Sequence, residues 1–284
     1  MANASMKEIR HRMKSVESTM KITRAMELVA SSKLRRAKER AEKNRKFFTT
    51  LYETMSDIVT TTEKFDSQYT RTRPVRTSCC VVIAGERGLA GGYNANVLKA
   101  ADAQMAGKRS HVIAIGKKAA EHYQRSSHRM IGSYVDVCED MTLSDTFEMA
   151  NAILFLYQKG EIDELYVAYT NFVTALSQVP ALLKVLPIDF GGKEYYQDLV
   201  TYDPSPQVVF DEIVPIFLAG MLYGAVVESF ASEQGARRTA MESASDNASE
   251  LVERLELLYN RARQSTITQE ITEVCAGARA QRRK

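Results

Sequence analysis

The sequence predicts an α/β protein with long terminal helices, in which the two ends pair as a coiled coil and the middle folds as a separate domain. Three observations predict it. First, all six prolines lie between Pro74 and Pro215, and ten of the fourteen glycines lie between Gly85 and Gly192. Proline costs about 3 kcal/mol inside a helix and glycine about 1. Each end can therefore run as one helix, while the middle carries the punctuation of a globular fold. Second, both ends place apolar residues at heptad spacing. Third, short β-branched runs alternate with helical stretches through the middle, which implies a mostly parallel sheet. The boundaries read as 1–60 for the first helix, 75–195 for the α/β domain and 208–284 for the last helix.

The N-terminal helix is expected near residues 3–58. It would be roughly 80 Å long at about 1.5 Å per residue. A middle domain of about 130 residues has a radius of gyration of only about 14 Å, so the helices are expected to project beyond it. Ile9, Met13, Val16 and Met20 form the helix seam, followed by a shifted stripe through Ile22, Met26 and Val29. The segment is basic: residues 1–46 hold fourteen Lys or Arg against five Glu, in a chain of net charge +3. A basic end suggests an acidic partner (nucleic acid, an anionic membrane or an acidic protein surface), with a solvated helix face as the plain alternative. No aromatic side chain interleaves with the basic residues before Phe47. That argues against a platform for stacking single-stranded bases.

In the middle, Thr77–Ala84 reads as a strand ending at Gly85, Asn96–Met105 as a helix and His111–Ile115 as a second strand ending at Gly116. Lys117–Gln124 is helical and Ile131–Val137 a third strand. Ser144–Lys159 is an amphipathic helix, with Ser144 as its cap and Gly160 as its stop. Leu165–Thr170 and Leu182–Ile188 are further strands. Adjacent Cys79 and Cys80 point to opposite faces of the first strand. Cys138 and Cys275 complete the four cysteines, none in a CxxC pair, so neither a disulfide framework nor a zinc site is expected.

The C-terminal helix is expected near 209–280, with a seam through Met241, Ala244, Ala248, Leu251, Leu255, Leu258 and Ala262. Its longest apolar run, Pro215–Val227, is too short for a bilayer span and is followed by Glu228, so no membrane span is expected. The chain becomes charged before any apolar stretch, which is unlike a signal peptide. The simplest closure is an intramolecular antiparallel pair; a parallel dimer is the alternative. The longer second helix should pass beyond the first and leave Ile267, Ile271, Val274 and Ala278 without an intrachain partner, in need of a sleeve from another protein.

The loop GERGLAGGYN, with Gly85, Gly88, Gly91 and Gly92, follows a strand and precedes a helix, where phosphate loops sit. It lacks GK[ST] and GxGxxG spacing, so a tight turn over a sheet edge or against a partner is the better reading. His11, His111, His122 and His128 form neither an HExxH pair nor a triad. Asp163/Glu164 and Asp211/Glu212 read as caps or solvated faces. No active site, cofactor or metal site is expected.

Three strings carry a resemblance: IRHRMKSVESTMKITRAMELVASSKLRRA (9–37), GERGLAGGYN (85–94) and ESFASEQGARRTAMESASDNASELVERLELLYNRARQSTITQEITEVCAGA (228–278). In order along the whole chain, they resemble the gamma subunit of bacterial-type F-type ATP synthase. The resemblance implies a left-handed antiparallel two-helix coiled coil with a Rossmann-like α/β domain near its foot. It implies a non-catalytic central shaft, rotating inside a ring of three alpha and three beta subunits that hold the nucleotide sites. The foot would bind the epsilon subunit and rest on the membrane c ring, which proton flow turns. The location would be peripheral, on the cytoplasmic face of the cell membrane. By motif match, Met26 would lie near the acidic loop of the beta subunit. Arg263 and Gln264 would engage its catch loop, with Thr268, Gln269 and Glu270 nearby. Gly85, Gly88, Gly91 and Gly92 match the family's foot-domain loop. Ala90 stands where many members have Cys, Arg238 where Met is usual, and the tail ARAQRRK where the family has a short apolar ending. The inserted cysteine pair of plant plastid members is missing, so no thiol switch is expected. Two rival classes make distinct expectations: a basic coiled-coil nucleic-acid binder would bind duplex DNA in a steeply salt-dependent way, and a nucleotide enzyme would bind nucleotide as an isolated chain.

Overall fold

The computed structural model describes residues 6–62, 65–174, 177–190 and 201–281. Ten elements follow one another: α1 (Met6–Thr61), β1 (Ser78–Ile83), α2 (Tyr93–Met105), β2 (Ser110–Ile115), α3 (Lys117–Tyr123), β3 (Arg129–Tyr134), α4 (Leu143–Gln158), β4 (Glu164–Phe172), β5 (Gln178–Leu186) and α5 (Pro206–Gln281). The long end helices form as the distribution of prolines and glycines requires. Pro206 opens α5 at the first helical position, where its missing N–H costs nothing, and Ser205 caps it through Val208 N–H at 3.4 Å. Two compact units emerge: Met1–Val29 with Arg238–Lys284, and Ala30–Arg237.

In the first unit the two helices run antiparallel: Arg10 lies over the Tyr259 ring, while Thr23 meets Ser245 further along. The seam differs in phase from the expected one. On α5 the expected Met241, Ala248 and Leu255 are buried and Ala262 is half-buried, but Ser245 is buried beside half-buried Ala244, Leu251 and Val252 share the burial at the next turn, and half-buried Tyr259 takes the place of Leu258, which is exposed. On α1 the seam runs Ile9, Met13, Val16, Met20 and Thr23; the expected shift to Ile22 and Val29 does not occur, and both are exposed. The physical reason is a polar pair. Thr23 and Ser245 share a buried 2.6 Å hydrogen bond, and the Thr23 hydroxyl also lies 3.1 Å from the Met20 carbonyl. Two small hydroxyls satisfy each other across the seam, so Thr23 and Ser245 can be buried there without an unpaired polar group. A heptad repeat of this kind imposes a left-handed supercoil. Ile267, Ile271, Val274 and Ala278 are exposed, as expected of a helix end that outruns its partner.

In the second unit a five-stranded sheet has the order β3-β2-β1-β4-β5. β3, β2, β1 and β4 are parallel and β5 is antiparallel to β4 at the edge. That edge position tolerates Pro180 inside β5, so the strand begins earlier than the expected Leu182. One sheet face packs on α4 and the paired ends of α1 and α5, with Cys79, Val81, Ile83, Leu165 and Val167 against Met55, Ile58, Ile153, Phe210 and Leu222. The other packs on α2 and α3 through Cys80, Val82, Val112 and Ala168. The two cysteines do point to opposite faces. Helix α4 is capped by Thr142 in a capping box with Asp145, rather than by Ser144. α1 and α5 are antiparallel here too. Ala37 packs near Ala231, and a Cβ at Gly220 would lie 2.1 Å from the Phe48 ring, so only glycine fits. By length and composition α5 could cross a membrane, but more than half of its most apolar stretch is buried inside the fold. It is a core helix there, with the pattern of a buried element.

Candidate functional site

The residues picked out on the helices fall at two levels of the first unit. Met26 is half-buried on α1, just past the level of Thr23 and Ser245. Arg263, Gln264, Thr268, Gln269 and Glu270 are all exposed on α5, beyond Tyr259. Arg263 lies about 27 Å of helix from Ser245, so the structure does not bring Met26 together with it. Positions four residues from Arg263 are Tyr259 and Ile267, and among the described residues Arg263 has no ion-pair partner. The Thr268 hydroxyl donates to the Gln264 carbonyl (2.9 Å), and Gln269 donates to Glu273 (2.9 Å). Gln264 and Glu270 keep their side chains on the open helix surface.

The glycine loop is built quite differently from a phosphate cradle. The Gly85 N–H donates to Asn94 Oδ1 (2.8 Å), and Asn94 Nδ2 donates back to the Arg87 carbonyl (3.2 Å), closing the loop on itself. The Glu233 carboxylate of α5 sits against Gly85, where an added Cβ would meet it at 2.8 Å. Arg237 bonds Glu233 at 2.5 Å and donates to the carbonyls of Arg87 and Gly88. The acid that occupies this loop is therefore the chain's own. Leu89 and Gly91 adopt positive φ of 62° and 55°, and Arg87, Gly88 and Leu89 are exposed at the tip. Glu86 accepts from the Lys117 N–H at 2.9 Å, while its second oxygen is buried without a hydrogen bond. Sequence reasoning found the loop but missed Glu233 and Arg237. Their i,i+4 spacing looks like any surface helix pair, and only their burial sets them apart.

Among the described residues, no group of three His, Cys, Asp or Glu side chains could hold a metal ion. His122 pairs with Asp102 at 2.9 Å, and Tyr123 donates to the same carboxylate. Cys138 is buried and its thiol is pushed up by burial, then by the Glu86 charge. An open groove of about 790 Å³ is lined by Phe48, Tyr52, Phe172, Met221 and Tyr223 among others.

The class that this fold and these sites define is an α/β protein built on antiparallel terminal helices, with its exposed polar residues on α5 and its glycine loop closed by its own side chains. Comparison with known proteins narrows it. The ATP synthase family model matches residues 5–281. The chain is 46% identical to the ATP synthase gamma chain of Ruminococcus albus over 97% of its own length and 98% of that protein. It is 37% identical to the sodium ion specific ATP synthase gamma chain of Acetobacterium woodii, again over 97% and 98%. Its fold matches a chain of the Euglena gracilis mitochondrial ATP synthase rotor with a TM-score of 0.67, at 18% identity over 92% and 98% of the two chains. The chain belongs to the ATP synthase gamma chain family.

Proposed function

We propose that this chain is the central rotating shaft of an F-type ATP synthase and is itself non-catalytic. The observation that carries the reading is the end-to-end match to gamma chains, 46% identical over 97% of the chain. In this reading the paired helices stand inside a ring of three alpha and three beta subunits, which hold the nucleotides. The α/β domain binds the epsilon subunit and the membrane c ring at the cytoplasmic face of the cell membrane. Proton flow turns the c ring, and the shaft turns with it. One asymmetric body inside a near-threefold ring makes different contacts with each beta subunit. Only differential contacts bias conformational equilibria, so the shaft's orientation dictates which beta subunit binds, which reacts and which releases. Met26, Arg263, Gln264, Thr268, Gln269 and Glu270 are the contacts assigned to the beta subunits. The division into 1–60, 75–195 and 208–284 is the functional one: helix, foot domain, helix.

The test is reconstitution. Purified alone, the chain is expected to hydrolyse no ATP; added to alpha and beta subunits, it is expected to give an active hydrolase in which a probe fixed to the α/β domain rotates. Hydrolysis by the pure chain, or an alpha/beta preparation whose activity and assembly are unchanged by its addition, would refute the reading.

A further inference from the structure

One face of α5 carries a run of polar residues at helical spacing, Glu228, Ser229, Ser232, Glu233 and Arg237. Ser229, Ser232, Glu233 and Arg237 are buried, at 1%, 0%, 4% and 9% exposure. All five reach the C-terminal ends of two central strands. At the end of β4, the Thr170 N–H donates to Ser229 Oγ (3.1 Å), Ser232 Oγ donates to the Thr170 carbonyl (3.0 Å), and the Phe172 N–H donates to Glu228 (3.3 Å). At the end of β1, Glu233 packs on Gly85 and Arg237 donates to the carbonyls of Arg87 and Gly88 at 3.4 and 3.2 Å. β1 and β4 are neighbours, and the strand order reverses between them. Open α/β sheets bind their ligands in the crevice at such a point. Here a helix of the same chain fills it.

The polarity of this contact has a mechanical consequence. Apolar packing is non-directional, so the buried apolar face of α5 resists a small roll about its axis less steeply than directional bonds do. Hydrogen bonds weaken steeply with misalignment. Rolling α5 by one residue, about 100°, would break every bond from this face to Thr170, Phe172, Arg87 and Gly88, while the Glu233–Arg237 pair, both on α5, would turn with the helix and leave its place against the loop. The polar face therefore fixes the rotational phase of α5 against the sheet.

Resting on the reading of the chain as a rotor, we propose that Ser229, Ser232, Glu233 and Arg237 are positioning residues. Together they form a torsional joint through which torque passes between the α/β domain and α5. When the joint slips, hydrolysis still turns the helix pair, but the α/β domain and whatever it drives no longer follow in step.

The experiment uses the complete ATP synthase in sealed vesicles, measuring ATP hydrolysis and ATP-driven ion uptake on one preparation. Ser232→Ala and Arg237→Ala are expected to keep hydrolysis near wild type while turnovers that move no ions become roughly fivefold more frequent, the change in the slip equilibrium for one lost hydrogen bond, so that the ions moved per ATP fall below wild type. Arg237→Lys, which keeps a charged donor for the two carbonyls, is expected to recover most of the ratio. In single complexes held at the alpha/beta ring, a probe on the α/β domain should fluctuate over a wider angle in Arg237→Ala. A purely structural role would lower assembled yield and both activities together with their ratio unchanged, and that outcome overturns the joint. A wild-type ratio in all three variants overturns it equally. Should Arg237→Ala fail to assemble, Ser232→Ala decides alone, because it removes a single oxygen. Failure of the rotor reading is told apart by the wild-type chain, which would then not restore hydrolysis to alpha and beta subunits.

Discussion

Burial holds the Glu233 carboxyl above the usual carboxylate range, opposed by the Arg237 charge and its hydrogen bond and reinforced by the Glu86 charge. The charged and titratable groups facing it are Arg237 on α5, Glu86 in the glycine loop, Lys33 on α1, Tyr93 on α2 and Cys138 beyond β3. An acid whose folded pKa is raised binds its proton more tightly in the folded chain than in the unfolded one. Its ionisation therefore costs stability, and the cost grows as pH rises from the unfolded carboxylate value of about 4.3 to the raised folded value. In Glu233→Gln that slope is absent. Wild type is expected to lose stability relative to Glu233→Gln across this window and to run parallel to it above. Thermal unfolding of the free chain at a series of pH values measures the difference, and two curves parallel throughout would rule out a raised Glu233. Gly85 shows why such residues hide in a sequence. Its requirement comes from a carboxylate nearly 150 residues later in the chain, which no local pattern announces.

At the scale of elements, the helices and the sheet were legible because their signals are local: proline and glycine placement for α1 and α5, alternation of strand and helix for the middle. The heptad period was legible, and its phase only in part. Heptad spacing alone favours an apolar residue at every seam position, and so points to Ile22 and Leu258 rather than Thr23 and Tyr259. Thr23 earns its seam position only through a partner at Ser245, which is visible only once the helices are paired. The cap of α4 fell two residues from its expected place because Thr142 has Asp145 at the right distance for a capping box, and Ser144 has no such partner. The Thr23–Ser245 pair yields a direct test of the seam. Ser245→Ala leaves a buried hydroxyl with only the Met20 carbonyl to bond and is expected to cost about 1 kcal/mol. Thr23→Val with Ser245→Ala replaces both partners by apolar groups, and the double variant is expected to recover most of that loss. Thermal unfolding of the four proteins forms the double-mutant cycle, and strictly additive losses would mean that the two hydroxyls do not depend on each other.

At the scale of the whole molecule, the family match covers nearly every residue, yet the candidate contacts on α5 had no physical signature in the sequence. Exposed polar residues on a helix are the commonest kind of surface, and Arg263 and Gln264 came into view only through the motif NRARQSTITQE. Their environment makes a specific expectation. Arg263 presents five donors in a planar fork suited to a carboxylate or to backbone carbonyls. It is exposed beyond Tyr259, and an acid lies at neither i+4 nor i−4. Arg263 therefore has no acid one turn away on its own helix, and contact with a partner needs no rearrangement. Arg263→Ala and Gln264→Ala are expected to leave the stability of the free chain within about 0.5 kcal/mol. In the alpha/beta complex the same changes are expected to lower assembly or turnover, because truncating one partner of a hydrogen-bonded charge buried in an interface costs about 2–5 kcal/mol. Arg263→Lys should recover the charge but not the two-pronged geometry, and so fall between the two. The measurements are complex yield and ATPase activity for each variant, beside thermal unfolding of the free chain. Wild-type yield and turnover in both alanine variants would remove Arg263 and Gln264 from the contact surface. A drop in free-chain stability that matched the loss of activity would reassign them to the fold.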